Sequence, residues 1–305
     1  MIAVCPCVNG IKMEKSMRLT RPKINIGAKT LIAFTLVFWI PVIALTIGLY
    51  HSFSESMFKE ELKTVKTNLR GARVVYEERT KVLQSTLKHI ANMPGIKTIF
   101  SKKQKFDIEQ FLINIGKENN HVELLMAVDE NQKVLGRRNG RSSDIILLGD
   151  ALSRALMTGE TISTTELISH DMVSREDETL ATRIKDIGIG QFVIAPVRSE
   201  DKIEGAIIAG IVLTGESWLG NSIYEQFNAE LALFAGETFE TFYLHTTTSL
   251  PHATWVIGQK MPDLLSDQIS LGKSYYGVPE INGEHHIVAF EPIMDSRLRV
   301  IGAIG

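Results

Sequence analysis

The sequence predicts an α+β protein in which an N-terminal transmembrane helix and a long stalk helix precede two tandem antiparallel-sheet modules. Three observations predict it. Residues 31–50, "LIAFTLVFWIPVIALTIGLY", hold no charge; an apolar stripe at alternating four- and three-residue steps follows them; and a strand, turn and strand pattern occurs twice, 96 residues apart.

The chain of 305 residues suits about two domains at roughly 150 residues each. An apolar fraction of 44%, a charged fraction of 22% and only 9 prolines exclude a disordered or low-complexity class. A net charge of −2 gives no reason to expect nucleic acid. Both cysteines, Cys5 and Cys7, lie in the N-terminal tail, so no disulfide framework exists. Two thiols also fall short of the four ligands of a structural zinc site, and the tail reads as disordered and cytoplasmic.

At about 1.5 Å per residue the apolar run spans about 30 Å, the thickness of a bilayer core. Pro41 is tolerable in a membrane helix, and Tyr50 suits the interface. Before the run, Lys12, Lys15, Arg18, Arg21, Lys23 and Lys29 against Glu14 give +5, which holds that flank in the cytoplasm. Taking this from the total of −2 leaves −7 for residues 51–305, which face outward. The run is too long for a cleaved signal peptide and leads into "HSFSES" rather than a small-residue cut site, so an uncleaved anchor is expected.

Beyond the span, Phe58, Leu62, Val65, Leu69, Ala72 and Tyr76, then Leu83, Leu87 and Ile90, mark one face of a helix from about 52 to 92, stopped by Pro94-Gly95. Arg79 and Gly71 break the heptad. The stripe is therefore expected to be covered by the following modules on one side and by a second copy of the chain on the other.

Next, "DIEQFLINIGKEN" places Ile108, Phe111, Leu112 and Ile115 on one helical face, with Asp107 and Gln110 spaced as a capping box. Residues 122–128 and "KVLG" read as strands around the turn "DENQ", in which Asp129 serves the turn. Residues 136–144 are a polar loop, and "DALSRALM" is a helix ending at Gly159. The charged stretch 170–186 shows no clean period and reads as a surface loop or ligand-facing lid. "GESWLGNSIYEQF" is a connecting helix, "AELALFAGETFETFYL" a strand pair and "PDLLSDQI" a short helix. Asn282-Gly283 marks a hairpin turn.

The repeat lies in "VIAPVRSEDKIEGAIIAG" and "AFEPIMDSRLRVIGAIG". Each has a strand, a proline (Pro196, Pro292), an apolar residue after it, a charged turn and a Gly/Ala/Ile strand. A whole module is duplicated. The domains are then a basic tail (1–29), an anchor (30–50), a stalk helix and connector (51–104), a membrane-distal module (105–215) and a membrane-proximal module (216–305).

This order, with "FVIAPVRSEDKIEGAIIAGIVL" and "HHIVAFEPIMDSRLRVIGAIG" closing the modules, resembles the double Cache domain, the PAS-like extracytoplasmic sensor of bacterial chemoreceptors, sensor histidine kinases and diguanylate cyclases. The resemblance covers about residues 51–305. It implies two tandem PAS-like modules on the outer side of the bacterial inner membrane. It also implies a small ligand, an organic acid among the candidates, in the distal module, and a homodimer through the long helix. The signal would pass through the proximal module to a cytoplasmic output domain. Any kinase or cyclase would lie beyond residue 305, so no enzyme is expected here, and Gly305 reads as the edge of a fragment. The amino-acid-binding subgroup carries Tyr-x4-Arg-x-Trp. Here Tyr76 is followed by Arg79, and no tryptophan occurs between Trp39 and Trp218, so an amino-acid ligand is not carried over. The alternative is a membrane-anchored extracytoplasmic binding or scaffold protein without signalling output.

Polar groups near the distal lid are the natural ligand contacts. Arg137, Arg138, Arg141, Arg175 and Arg183 offer guanidinium forks for a carboxylate, with Glu166 beside them. Asp171 and His170 are further candidates. Adjacent His285 and His286 point to opposite faces of a strand and cannot easily chelate one ion. No P-loop, His-Glu-x-x-His, Gly-x-Ser-x-Gly or dinucleotide fingerprint occurs, so no catalytic residue, metal or cofactor is assigned.

Overall fold

The computed structural model describes residues 26–119, 121–138, 148–200, 202–215, 218–236, 240–245, 260–281 and 283–305. The chain divides into two compact units, Met1–Met57 and Phe58–Gly305.

The described part of the first unit is helical and belongs to α1, Ile26–Ala91, which has Pro41 inside it. From Phe34 onward α1 is long and apolar enough to cross a membrane. Leu31, Phe34, Val37, Phe38, Leu45 and Leu49 are all exposed. Thr35 and Thr46 donate their hydroxyls to the carbonyls of Leu31 and Val42 at 2.7 and 2.8 Å, which satisfies them inside the helix. Cys5, Cys7 and the basic residues up to Lys23 lie outside the described residues. Helix α1 has 66 residues and continues past Met57 into the second unit.

In the second unit, α1 is followed by α2 (Pro94–Lys102) and α3 (Lys105–Glu118). Pro94 starts α2, where its missing N–H costs nothing, and Lys103 ends it in the left-handed region at φ 50°. Helix α3 corrects the expected capping box. Its N-cap is Gln104, without a side-chain cap, and Asp107 lies within the first turn, where a carboxylate suits the positive helix end.

The first module contains β1 (Leu124–Asp129), β2 (Val134–Arg137), α4 (Gly149–Thr158), β3 (Ile162–Ser169), α5 (His170–Glu176), α6 (Glu178–Ala181), β4 (Ile187–Ser199) and β5 (Lys202–Val212). Gly159 caps α4 at φ 65°, as its position after the helix requires. The stretch 170–186 is more ordered than its lack of period suggests. It holds two helices of seven and four residues, too short to display one. Its N-caps are Ser169 and Asp177, whose side chains accept from Met172 N, and from Thr179 N and Leu180 N.

The second module contains α7 (Trp218–Phe227), β6 (Leu231–Ala235), β7 (Glu240–His245), α8 (Asp263–Ser270), β8 (Tyr275–Gly277), β9 (Glu280–Ile281), β10 (Glu284–His285), β11 (Val288–Met294) and β12 (Val300–Ile304). Strands β9 and β10 form the small hairpin expected at 282–283, of which Asn282 lies outside the described residues.

The five-stranded sheets have orders β2-β1-β5-β4-β3 and β7-β6-β12-β11-β8, and every described pairing is antiparallel. In chain order these are the same topology, so the repeat read from sequence is a repeat of whole sheets. Pro196 faces Ala206 and Pro292 faces Ala303, and each strand pair shifts register just beyond, at Val197/Arg198 and Ile293/Met294.

One turn also recurs. Asp129 and Asp295 each accept two backbone N–H groups on Oδ1, from Asn131 and Lys133 and from Arg297 and Arg299, at 2.8–2.9 Å. Gln132 and Leu298 hold the left-handed position in the two turns, at φ 67° and 61°. These aspartates shape the backbone by Asx bonding.

Alternation along the strands divides the first sheet. Leu125, Ala127, Val193, Ala195, Ile207, Ala209 and Ile211 face a core shared with Ala72, Val75, Tyr76, Leu83, Leu87 and Ile90 of α1. The same core takes Leu231, Leu233, Ile293, Ile301 and Ile304 from the second sheet. The helical stripe is thus covered by both modules, while Val74 and Val82 on other faces of α1 are exposed. Leu87→Ala, at a fully buried site, is expected to cost about 2–5 kcal/mol. Val82→Ala should change little, and urea unfolding of the full chain in detergent measures both.

Candidate ligand site

The other face of the first sheet carries α4 and the 170–186 stretch, the loop or lid of the sequence expectation. Leu124, Met126, Val128, Phe192, Ile194, Ala206 and Ile208 pack against Leu148, Ala151, Leu152 and Ala155 around α4 and against Val173, Leu180, Ala181 and Ile184 around α5 and α6. Phe192 fills the centre. A Cβ on Gly190 or Gly210 would come within 2.8 or 2.6 Å of its ring, so two glycines make room for one aromatic.

One ion pair sits within this apolar layer. Arg137 on β2 is 3% exposed and Glu176 at the end of α5 is 5% exposed. The Arg137 guanidinium contacts the Glu176 carboxylate, and its Nη1 also lies 4.0 Å from Met126 Sδ. The lid leaves β3 at one sheet edge and is held by this pair at β2, the opposite edge. A second tie follows α6, where Arg183 bonds Glu123 at 2.6 Å, and Glu123 also accepts the N–H of Val212 at 2.8 Å.

The other candidates are set apart from Arg137. Arg138 gives Nη1 to the carbonyl of Val122 at 2.7 Å and packs on Gly116 of α3. Arg175 pairs with Asp171 at 2.7 Å on the outside of α5, near exposed His170. Glu166 on β3 accepts from Thr164 at 2.8 Å and from the backbone of Ser296 at 3.1 Å. Arg141 lies outside the described residues. Sequence reasoning missed Glu176. The sequence offered little signal, because Glu176 ends α5 and Leu180 belongs to α6, with the extended Asp177 breaking any period between them.

The Glu166 contact belongs to a junction between modules. The 295–299 turn also takes a bond from Arg154 of α4 to the Ser296 carbonyl at 3.1 Å, and Arg297 pairs with Asp150 of α4. Burial raises the Asp295 carboxyl pKa, but bonds from the Arg299 backbone, the Arg299 side chain and the Arg297 backbone outweigh it and hold it below its ordinary value.

Cavities occur elsewhere among the described residues of this unit. One of about 510 Å³ is lined by Val65, Leu69, Phe227, Leu231, Val288 and Phe290. A more polar one of about 580 Å³ lies between Lys81, Lys88, Glu160 and Arg198.

With this geometry in hand, comparison with known proteins is direct. Residues 211–305 match the family model of single Cache domain 3. The match spans the second module. Among solved structures, the ligand-binding domain of the Campylobacter jejuni chemoreceptor Tlp3 in complex with L-norvaline is similar at 17% identity and a TM-score of 0.50. That likeness covers 82% of this chain and 91% of that one, and it shows the fold. The periplasmic domain of Vibrio cholerae LuxQ is similar at 12% identity and a TM-score of 0.46, over 79% of this chain and 99% of that one. No curated protein matches the sequence. The matched segment includes the strand pair β11–β12, whose tip is the Asp295 turn.

The depressed pKa of Asp295 sets the sign of its acid response. Its contribution is present above the unfolded pKa and is lost as pH falls through the lower folded value. Asp295→Asn is therefore expected to cost about 1–3 kcal/mol at pH 7. The gap to the wild-type chain should close at pH below that of ordinary carboxylates, as read from urea midpoints along a pH series.

Proposed function

We propose that the chain is the extracytoplasmic ligand-sensing part of a single-chain bacterial transmembrane receptor. Helix α1 anchors it in the inner membrane, a small molecule binds under the lid of the first module, and the Cache module passes the signal toward an output domain. A second copy of the chain pairs along α1, where Val74 and Val82 offer an exposed apolar face.

The observation that carries this reading is the docking of the 295–299 turn on α4 and β3. Helix α4 packs in the same layer as the lid, and β3 runs directly into α5. A ligand that moves the lid changes the seat of this turn, and with it the pair of strands that closes the Cache module. The chemistry is binding, and the residues around the lid supply a guanidinium and carboxylates rather than a nucleophile with its base. The coupling requires a ligand with different affinity for two lid positions.

A second reading, a membrane-anchored binding or scaffold protein without output, is favoured by one observation. Phe192 and its neighbours fill the face beneath the lid.

Ligand binding, which the sensor reading requires, is tested by a melting-temperature screen of the full chain in detergent against organic acids, amines and amino acids. Amino acids are included because the Tlp3 domain holds L-norvaline. A ligand at a hundred times its Kd is expected to add about 2.7 kcal/mol. Absence of any shift, with the lid protected from hydrogen exchange throughout, sinks the sensor reading.

A further inference from the structure

We propose that Glu176 is an internal ligand. Its carboxylate occupies the Arg137 guanidinium in the place of a small carboxylic acid, and such an acid opens the lid by taking that place. The inference rests on the reading of the first module as the sensing module and gives it a ligand class and a switch.

Several features of the site support it. The pair is 3% and 5% exposed and Arg137 Nη1 lies 4.0 Å from Met126 Sδ, so both charges have left water. Desolvating two charges offsets most of their attraction, and a well-packed apolar pair is often as stable. Stability alone thus gives little reason to keep an arginine and a glutamate under a lid that is otherwise aliphatic. What the arginine does require is a carboxylate, since a planar fork of N–H groups matches two oxygens. Exchange of one carboxylate for another keeps the buried cation paired.

The lid is built to allow the exchange. Glu176 is the last residue of α5, and Asp177 after it is extended at φ −153° while capping α6. Helix α5 begins on its own cap at Ser169. It is a separate seven-residue piece that can swing Glu176 outward while Arg183 and Glu123 retain the chain beyond α6. The carboxylate that leaves enters water, and the incoming one inherits the dry site.

Chemical rescue tests this directly. Glu176→Ala removes a CH2–COO⁻ group, the size of acetate, and leaves Arg137 buried without its partner. The full-length variant in detergent is expected to melt roughly 6–20 °C below the wild type. Acetate should recover roughly 5 °C with a saturable dose response, while acetamide and sodium chloride at matched ionic strength should not. Acetate acting no better than acetamide, or acting equally on the double variant Arg137→Met with Glu176→Ala, overturns the proposal.

If Glu176→Ala gives no folded chain in chloride, refolding in acetate but not in acetamide is the expected result, and failure in both overturns the proposal. In the wild-type chain, saturating acetate should speed amide exchange over residues 170–176, and unchanged exchange makes the pair merely structural. The rescue and the ligand screen fail separately. A screen hit without rescue removes the internal ligand and keeps the sensor, whereas rescue without any screen hit keeps the anion site and removes the sensor.

Discussion

The second unit depends on burial of one stripe of α1. Residues Ala72 to Ala91 of this helix supply the floor on which both sheets rest, and a single apolar cluster runs from Ile90 through Val193 and Ile207 to Leu233 and Ile304. Apolar burial has no direction, so it cannot set how a helix is rotated and slid against a sheet. A small buried polar network does that. Thr80 donates to Gln191 Oε1 at 2.7 Å, Gln191 Nε2 donates to the carbonyl of Tyr76 at 3.0 Å, and the Tyr76 hydroxyl lies 3.1 Å from that of Thr165. A slide by one residue would strand these groups in the core, where an unmade hydrogen bond costs about 1–3 kcal/mol. Burial accordingly pushes the Tyr76 pKa up, so its hydroxyl keeps its proton.

Duplication explains much of the remaining architecture. Both modules use the same strand order, the same proline facing an alanine and the same register shift, and an Asx-bonded turn closes β1–β2 in one and β11–β12 in the other. The copies differ in what their turns meet. The tip of β4–β5 is exposed at Arg198 and Glu200, whereas the tip of β11–β12 lies on the first module through Ser296 and Arg297. A repeated element has acquired a contact with the neighbouring copy.

Sequence reading reached the apolar helix, the duplicated strand pairs and most helices because each leaves a period or a stop signal. Gly159 and Pro94 are such signals, and both act where their chemistry requires. It failed where the element spans only one or two turns. Helices α5 and α6 hold seven and four residues among alternating charges, and their two caps, Ser169 and Asp177, resemble ordinary loop residues until the backbone is seen. The site was legible in part. Arg137 stood out as one of several arginines, but only the fold shows that it is buried while Arg175 is on the outside, and only the fold supplies Glu176. Burial of a charge is a tertiary property, and local sequence carries little of it.

The shared floor on α1 has a consequence for what counts as a domain. In chain order the modules part near residue 215, and a gene could be cut there. Cutting would bare Leu231, Leu233, Ile301 and Ile304 on one piece and their partners on the other, along with the Asp150 and Arg154 contacts to the 295–299 turn. The two modules are separate in descent and joint in thermodynamics. One unfolding transition is expected for both, so a destabilising substitution in either should lower the melting of both.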